Sequence, residues 1–168
     1  MSKATSEPQW YVLQSKPRQE ERALEHLRNQ LFACYCPYHK VEKIRHGKRV
    51  FLSQPLFPGY IFINLCRLTD NWHAIRSTRG VARLVTFANQ PLAVPDEIIE
   101  HLRTHQEQQA DKPLFTEGSP VVITDGPFKD LDAVFCKMDD HERVIILLNV
   151  LQRQQQIRIP MSQLRKLG

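Results

Sequence analysis

Three sets of side chains in this sequence have types and spacings that could do chemistry. Cys34, Cys36, Cys66 and Cys136 are its thiols. Cys34 and Cys36, two apart, point to one side of a strand, and no second close-spaced pair completes a tetrahedral zinc set. They read as free thiols of a chain kept in a reducing compartment. His101 and His105 stand i, i+4 on an expected helix, but the glutamate of a His-Glu-x-x-His motif is missing, and a solvated helix face is the simpler reading. Lys40, Lys43, Arg45, Lys48 and Arg49 face one acid, Glu42. Such a patch meets phosphate, or equally keeps a hairpin edge soluble. With no nucleophile-base-orienter order, phosphate loop or metal set, the sequence predicts no enzyme and no cofactor.

The charge that surrounds these groups is uneven. The formal net charge is +5, with sixteen Lys and Arg against eleven Asp and Glu in the first 112 residues and seven of each in the rest. The longest aliphatic run, Val144 to Leu148, is far short of the ~20 residues that cross a bilayer. No apolar leader or lipidation box is visible, so no membrane partner and a cytoplasmic location are expected.

The elements that must position these residues follow from periodicity. Trp10 to Ser15 predicts a strand; Pro17 then suits a helix start, and Glu20, Glu21, Ala23, Leu24, Leu27 and Leu31 continue a helical period. Phe32 to Cys36 is a further apolar piece. Lys40 to Arg45 and Lys48 to Ser53 flank His46-Gly47 as the arms of a tight hairpin, which carries the basic patch. Tyr60 and Phe62 share one face of a strand and Ile61 and Ile63 the other, so both faces need covering. Asp70 to Arg76 predicts a short helix, Gly80 to Phe87 a strand and Pro95 to His105 a helix presenting Ile98, Ile99 and Leu102. This order predicts an α+β chain whose first domain is a mixed-sheet sandwich with helices on one side.

The polar stretch Gln106 to Pro113 reads as a linker. The domains expected are a tail over 1–9, a first domain over 10–105, a linker over 106–114 and a second domain over 115–168. In the second, Val121 and Ile123 alternate, Asp125-Gly126-Pro127-Phe128 marks a turn, and Ala133 to Lys137, Val144 to Asn149 and Gln156 to Ile159 fit the short strands of a small β-barrel. Yet no glycine lies between Pro127 and Leu167, and Leu147 to Gln156 are largely good helix formers. A helical hairpin turning near Asp139-Asp140 competes with the barrel, and both readings stay open.

Three stretches together resemble the NusG family of transcription elongation factors. Trp10-Tyr11-Val12-Leu13 leading into Glu25-His26-Leu27, and Pro55-Leu56-Phe57-Pro58-Gly59-Tyr60-Ile61-Phe62-Ile63 with Thr78-Arg79-Gly80-Val81, are similar to its N-terminal domain. Gly118-x-x-Val121-x-Ile123-x-Asp125-Gly126-Pro127-Phe128 is similar to its C-terminal KOW motif. Within the family the likeness is to the specialised RfaH-like branch, on Glu42-Lys43-Ile44 with Gly47-Lys48-Arg49, Pro55-Leu56-Phe57-Pro58, Ser77-Thr78-Arg79-Gly80-Val81, Val122-Ile123-Thr124, and Leu147-Leu148-Asn149 before Arg165-Lys166-Leu167.

The resemblance implies a monomeric antitermination factor whose N-terminal domain bridges the cleft of RNA polymerase. It implies that Trp10, Lys16, Arg22, His26, Thr78 and Arg79 contact the non-template DNA strand of an ops element. Leu56, Phe57, Tyr60, Phe62, Ile99 and Leu102 would grip the β′ clamp helices. The implied cover of that patch is the C-terminal domain as an α-helical hairpin, which leaves after DNA recognition and refolds to a five-stranded β-barrel that binds ribosomal protein S10. Asn71-Trp72-His73 stands where RfaH-like proteins carry a His-Thr-Thr contact to the β gate loop. Gln54 replaces the acid of an interdomain ion pair, leaving a Gln54–Arg143 hydrogen bond with weaker charge assistance. The alternatives are a general NusG-type factor with a permanent barrel, which a glycine in the last hairpin would mark, and an RNA- or ribosome-binding KOW protein.

Overall fold

The computed structural model describes residues 8–66, 72–110, 129–135 and 139–158. The bulky run at positions 10–13 loads both faces of an extended backbone, and it forms the central strand β1 (Gln9–Ser15). The tail residues 1–7, the KOW stretch over 118–128 and the terminal 159–168 lie outside the described residues.

On one side β1 pairs with β5 (Tyr60–Leu65), and β2 (Ala33–Tyr35) pairs beyond it. The other side of β1 is shared: β6 (Val81–Leu84) pairs along Leu13–Ser15 and β9 (Ala93–Val94) along Trp10–Tyr11. Every one of these pairings is antiparallel, so the mixed sheet expected from the sequence is corrected. The reason is an insertion. β1 and β2 run parallel and are joined by helix α1 (Glu20–Asn29), but β5 lies between them and opposes both, which makes a split βαβ unit.

The helices also do not lie on one side. Tyr11, Leu13, Ile61, Ile63 and Leu65 pack against Ala23, Leu24 and Leu27 of α1 and Ile75 of α2 (Trp72–Arg76). Trp10, Val12 and Phe62 point the opposite way, against Ile98, Ile99 and Leu102 of α3 (Asp96–Ala110) and against α4 (Lys129–Ala133) and α5 (Asp140–Arg158). Alternation along β1 and β5 therefore builds two cores back to back.

Local chemistry sets the connections. The hairpin β3 (Tyr38–Arg45) to β4 (Lys48–Pro55) turns on His46 and Gly47, both at positive φ (52° and 76°), the two-residue turn that matches strand twist. Ala88 and Asn89 turn the smaller hairpin β7 (Thr86–Phe87) to β8 (Gln90–Pro91) in the same way, where the sequence suggested one strand over 80–87. Helix α1 starts at Glu20 rather than Pro17 because Arg18 takes a positive φ of 60° and the Gln19 N–H bonds back to the Lys16 carbonyl. Helix α3 runs on to Ala110, so residues 106–110, expected as linker, are helical; Gln, Glu and Ala favour helix without an apolar face. Val144 to Asn149, for which strand and helix both stood open, lie within α5. Among the described residues no helix is long and apolar enough to cross a membrane.

Candidate functional site

The largest constellation that the structure assembles is an apolar face and its cover. Leu56, Phe57, Phe62, Ile99 and Leu102 are each at most 1 % exposed, and Tyr60 is half-buried beside them. Phe57 and Phe62 meet edge to face with ring centroids 6.3 Å apart. Over this face lie Leu131 and Val134 from the α4 segment and Leu147, Val150 and Leu151 from α5. The α5 residues recur at helical spacing, and burying each is worth about 1.5–3 kcal/mol relative to exposure.

Polar contacts fix how α5 sits. The Arg143 side chain is buried; its Nε donates to the Leu56 carbonyl at 2.8 Å, and its Nη2 meets Asp140 one turn earlier and His39 Nε2 at 3.3 Å. His39 stands directly opposite Gln54 in the β3–β4 register, with its Nε2 3.3 Å from the guanidinium. Sequence reading missed His39, because 104 residues separate it from Arg143 and no local pattern links them. Burial and the neighbouring Arg143 charge hold the His39 pKa below its usual value, against the opposing pull of Asp140. At the far end of α5 the Gln155 Nε2 donates to the Ala93 carbonyl at 3.1 Å.

A second constellation lies at the junction of β1, α1 and β6. Lys16, Arg22 and Arg79 are exposed and His26 is half-buried. Thr78 is buried, donates to the Ala74 carbonyl and accepts from Gln30 Nε2, each at 2.8 Å, which ties its loop to α1. The Lys16 N–H bonds to the Gly80 carbonyl at 2.8 Å. Gly80 lies against Ala23 of α1, so Lys16, the loop carrying Thr78 and Arg79, and the α1 turn carrying Arg22 form one basic edge, with His26 a turn further along the helix. Trp10 does not join them: it is buried in the core on the other face of the sheet, with the Arg103 guanidinium 5.4 Å from its ring centroid, and six residues of strand place it about 20 Å along β1 from Lys16.

The remaining predicted groups separate. Lys40, Lys43, Arg45, Lys48 and Arg49 are all exposed on the β3–β4 hairpin, with Arg49 Nε 3.0 Å from Glu42 Oε1. Trp72 is half-buried against Tyr11 and His73 is exposed, both in α2, while Asn71 lies outside the described residues. Cys34 and Cys36 are free thiols, and burial pushes Cys34 up to about 11 and Cys36 to about 12, so both are inert at neutral pH. Cys136 lies outside the described residues. His101 and His105 are not on a solvated face, as the sequence suggested. Both are half-buried against Asp132 of α4, a partner 27 or more residues away that helix periodicity could not reveal.

A family model described as "Transcription termination factor nusG" matches residues 8–103. The protein "Transcription termination/antitermination protein NusG" of Yersinia pestis is 28% identical over 175 residues, covering 94% of this chain and 95% of the relative. Its counterpart in Escherichia coli (strain K12) gives the same identity and coverage. A solved structure described as "Domain interaction in Thermotoga maritima NusG" aligns with a TM-score of 0.47 at 18% identity, covering 72% of this chain and 75% of that one. The family match runs from β1 into α3, and so takes in the sheet, both helices of one core and the strands and helix beneath the apolar face. On that match, the chain belongs to the NusG family of transcription termination/antitermination factors.

Proposed function

We propose that this NusG-family factor is a sequence-recruited antiterminator of the RfaH-like kind, which works in the cytoplasm as a monomer and binds RNA polymerase only after its C-terminal helices leave the apolar face. One observation carries the reading: Leu147, Val150 and Leu151 of α5 sit on the same Leu56, Phe57, Phe62, Ile99 and Leu102 surface that the family likeness assigns to the β′ clamp helices. One surface cannot serve both at once. An apolar face of this kind, opened to water, needs another partner.

The basic edge supplies recruitment. Lys16, Arg22 and Arg79 are exposed and free to meet the phosphates of a non-template strand displaying an ops element, His26 lies beside them, and Thr78 holds the loop in place. Trp10, buried on the opposite sheet face, acts in this reading through the strand that carries the edge. His73, exposed on α2, meets the β gate loop in this reading, while Trp72 packs against Tyr11 and holds α2 in place. Once released, the C-terminal residues refold to a β-barrel that binds ribosomal protein S10.

The test uses transcription complexes paused at an ops-containing sequence or at a scrambled one. The full-length chain should engage only the first. A Leu147→Asp/Leu151→Asp variant, with the cover loosened, should engage both. Equal engagement of both complexes by the unaltered chain would return the protein to the general NusG-type class, and RNA affinity without polymerase would favour the ribosome-binding alternative.

A further inference from the structure

Outside the surfaces already described, His101, His105 and Asp132 bring three ligand-type atoms within 4.8 Å of one another. Both imidazole Nε2 atoms address the same oxygen, Asp132 Oδ1, with His105 at 2.9 Å. From this convergence we propose that His101, His105 and Asp132 form a binding site for a borderline divalent transition metal such as zinc, which ties α4 to α3.

The elements are suited to the task. His101 and His105, four apart on α3, project from one face a turn apart. That helix is held by Ile98, Ile99 and Leu102, none more than 2 % exposed. Asp132 is flanked by Leu131 and Val134, 0 % and 1 % exposed, which anchor its short helix on the same core. Ring packing fixes the imidazoles: His105 stacks on Phe135 with centroids 4.4 Å apart and planes inclined by 15°, and His101 meets His105 edge to face at 4.6 Å. Side chains locked by their neighbours keep a coordination geometry better than mobile ones.

The donor set points to the class of ion. Two imidazole nitrogens and one carboxylate oxygen suit zinc, cobalt, nickel or copper, whereas magnesium and calcium favour all-oxygen cages. Ligand atoms about 2.0–2.1 Å from a tetrahedral zinc stand roughly 3.3–3.5 Å apart, a spacing these three reach by small side-chain rotations. Side-chain exposures of 20 %, 29 % and 16 % leave a path for the ion and room for water as the fourth ligand.

The site spans two elements far apart in sequence, and that gives it a consequence. The two histidines alone are a weak chelate; the third ligand arrives only while α4 rests on α3. By linkage, docking of the C-terminal helices strengthens metal binding by the same factor as the metal strengthens docking. This needs only α4 against α3 and stands apart from the transcription reading.

The probes are zinc and cobalt, added to full-length protein stripped with chelator and read by titration calorimetry and visible absorption. One equivalent should bind per chain with cobalt ligand-field bands. His105→Gln and Asp132→Asn should each weaken binding by about tenfold or more with unchanged far-ultraviolet circular dichroism. Leu147→Asp/Leu151→Asp, which touches no ligand, should weaken it as well, and magnesium should not compete. Affinity unchanged in His105→Gln and Asp132→Asn, no uptake of either ion, or thiolate charge-transfer absorption marking cysteine ligation would each overturn the site.

Discussion

At the residue scale, Gly80 shows why one position of a motif admits one residue. Its φ is +88°, and a Cβ built there would stand 2.8 Å from the backbone nitrogen of Ala23 on α1. Gly47 has a comparable φ of +76° with nothing within 4 Å. Gly47→Ala should therefore cost only the left-handed strain of an ordinary residue, about 1 kcal/mol. Gly80→Ala should cost about 2–3 kcal/mol, because the loop carrying Thr78 and Arg79 must also move off α1. Urea unfolding of the two variants compares them directly, and equal losses would show that the Ala23 contact is soft. The Thr78-Arg79-Gly80-Val81 motif was legible in the sequence, but its reason was not, since Ala23 approaches from 57 residues away. Asp132 and His39 were invisible for the same cause: each meets its partners across the fold, and no local spacing encodes such a meeting.

At the element scale, legibility followed local chemistry. His46-Gly47 is a turn signal that needs no tertiary help, and the hairpin formed where its arms were read. The two-faced strand around Phe62 was also readable, because aromatic and aliphatic residues on both faces demand two covers. Sheet direction was not, since the insertion of β5 between β1 and β2 depends on pairing partners rather than on periodicity. Helix α5 is the instructive case: Val144 to Leu148 is apolar throughout, which fits a buried strand or a buried helix equally well. Packing separates its residues sharply. Leu151 is 0 % exposed and Ile145 44 %. Leu151→Ala should weaken docking of α5 by about 2–5 kcal/mol, and Ile145→Ala should change it by less than about 0.5 kcal/mol. Amide exchange across 140–158 reads both, and similar losses of protection would mean that α5 does not rest on the face described.

At the scale of the whole molecule, the covered apolar face and the open basic edge belong to opposite sides of one sheet, and the contacts that hold the cover include an imidazole whose proton affinity depends on docking. His39 Nε2 lies 3.3 Å from Arg143 Nη2, so as a neutral imidazole it accepts from the guanidinium, and as an imidazolium it repels it. Burial and Arg143 together lower its pKa from the ordinary 6.5 while α5 is docked. When α5 lifts, the ring is rehydrated, the Arg143 charge departs, and its proton affinity rises. The released form therefore binds more protons, and docking is strongest above pH 6.5 and weakens as pH falls through that value toward the lowered one. Carbon chemical shifts of α5 at pH 7.5 and 5.5 measure the docked fraction. His39→Gln, which keeps a hydrogen-bond acceptor without the titration, should lose part of the acid-induced release and so isolate the contribution of this imidazole. An equal release in both proteins would place the pH response elsewhere. A difference between them would make the buried Arg143, with His39, Asp140 and the Leu56 carbonyl around it, a pH-sensitive polar latch on the apolar interface.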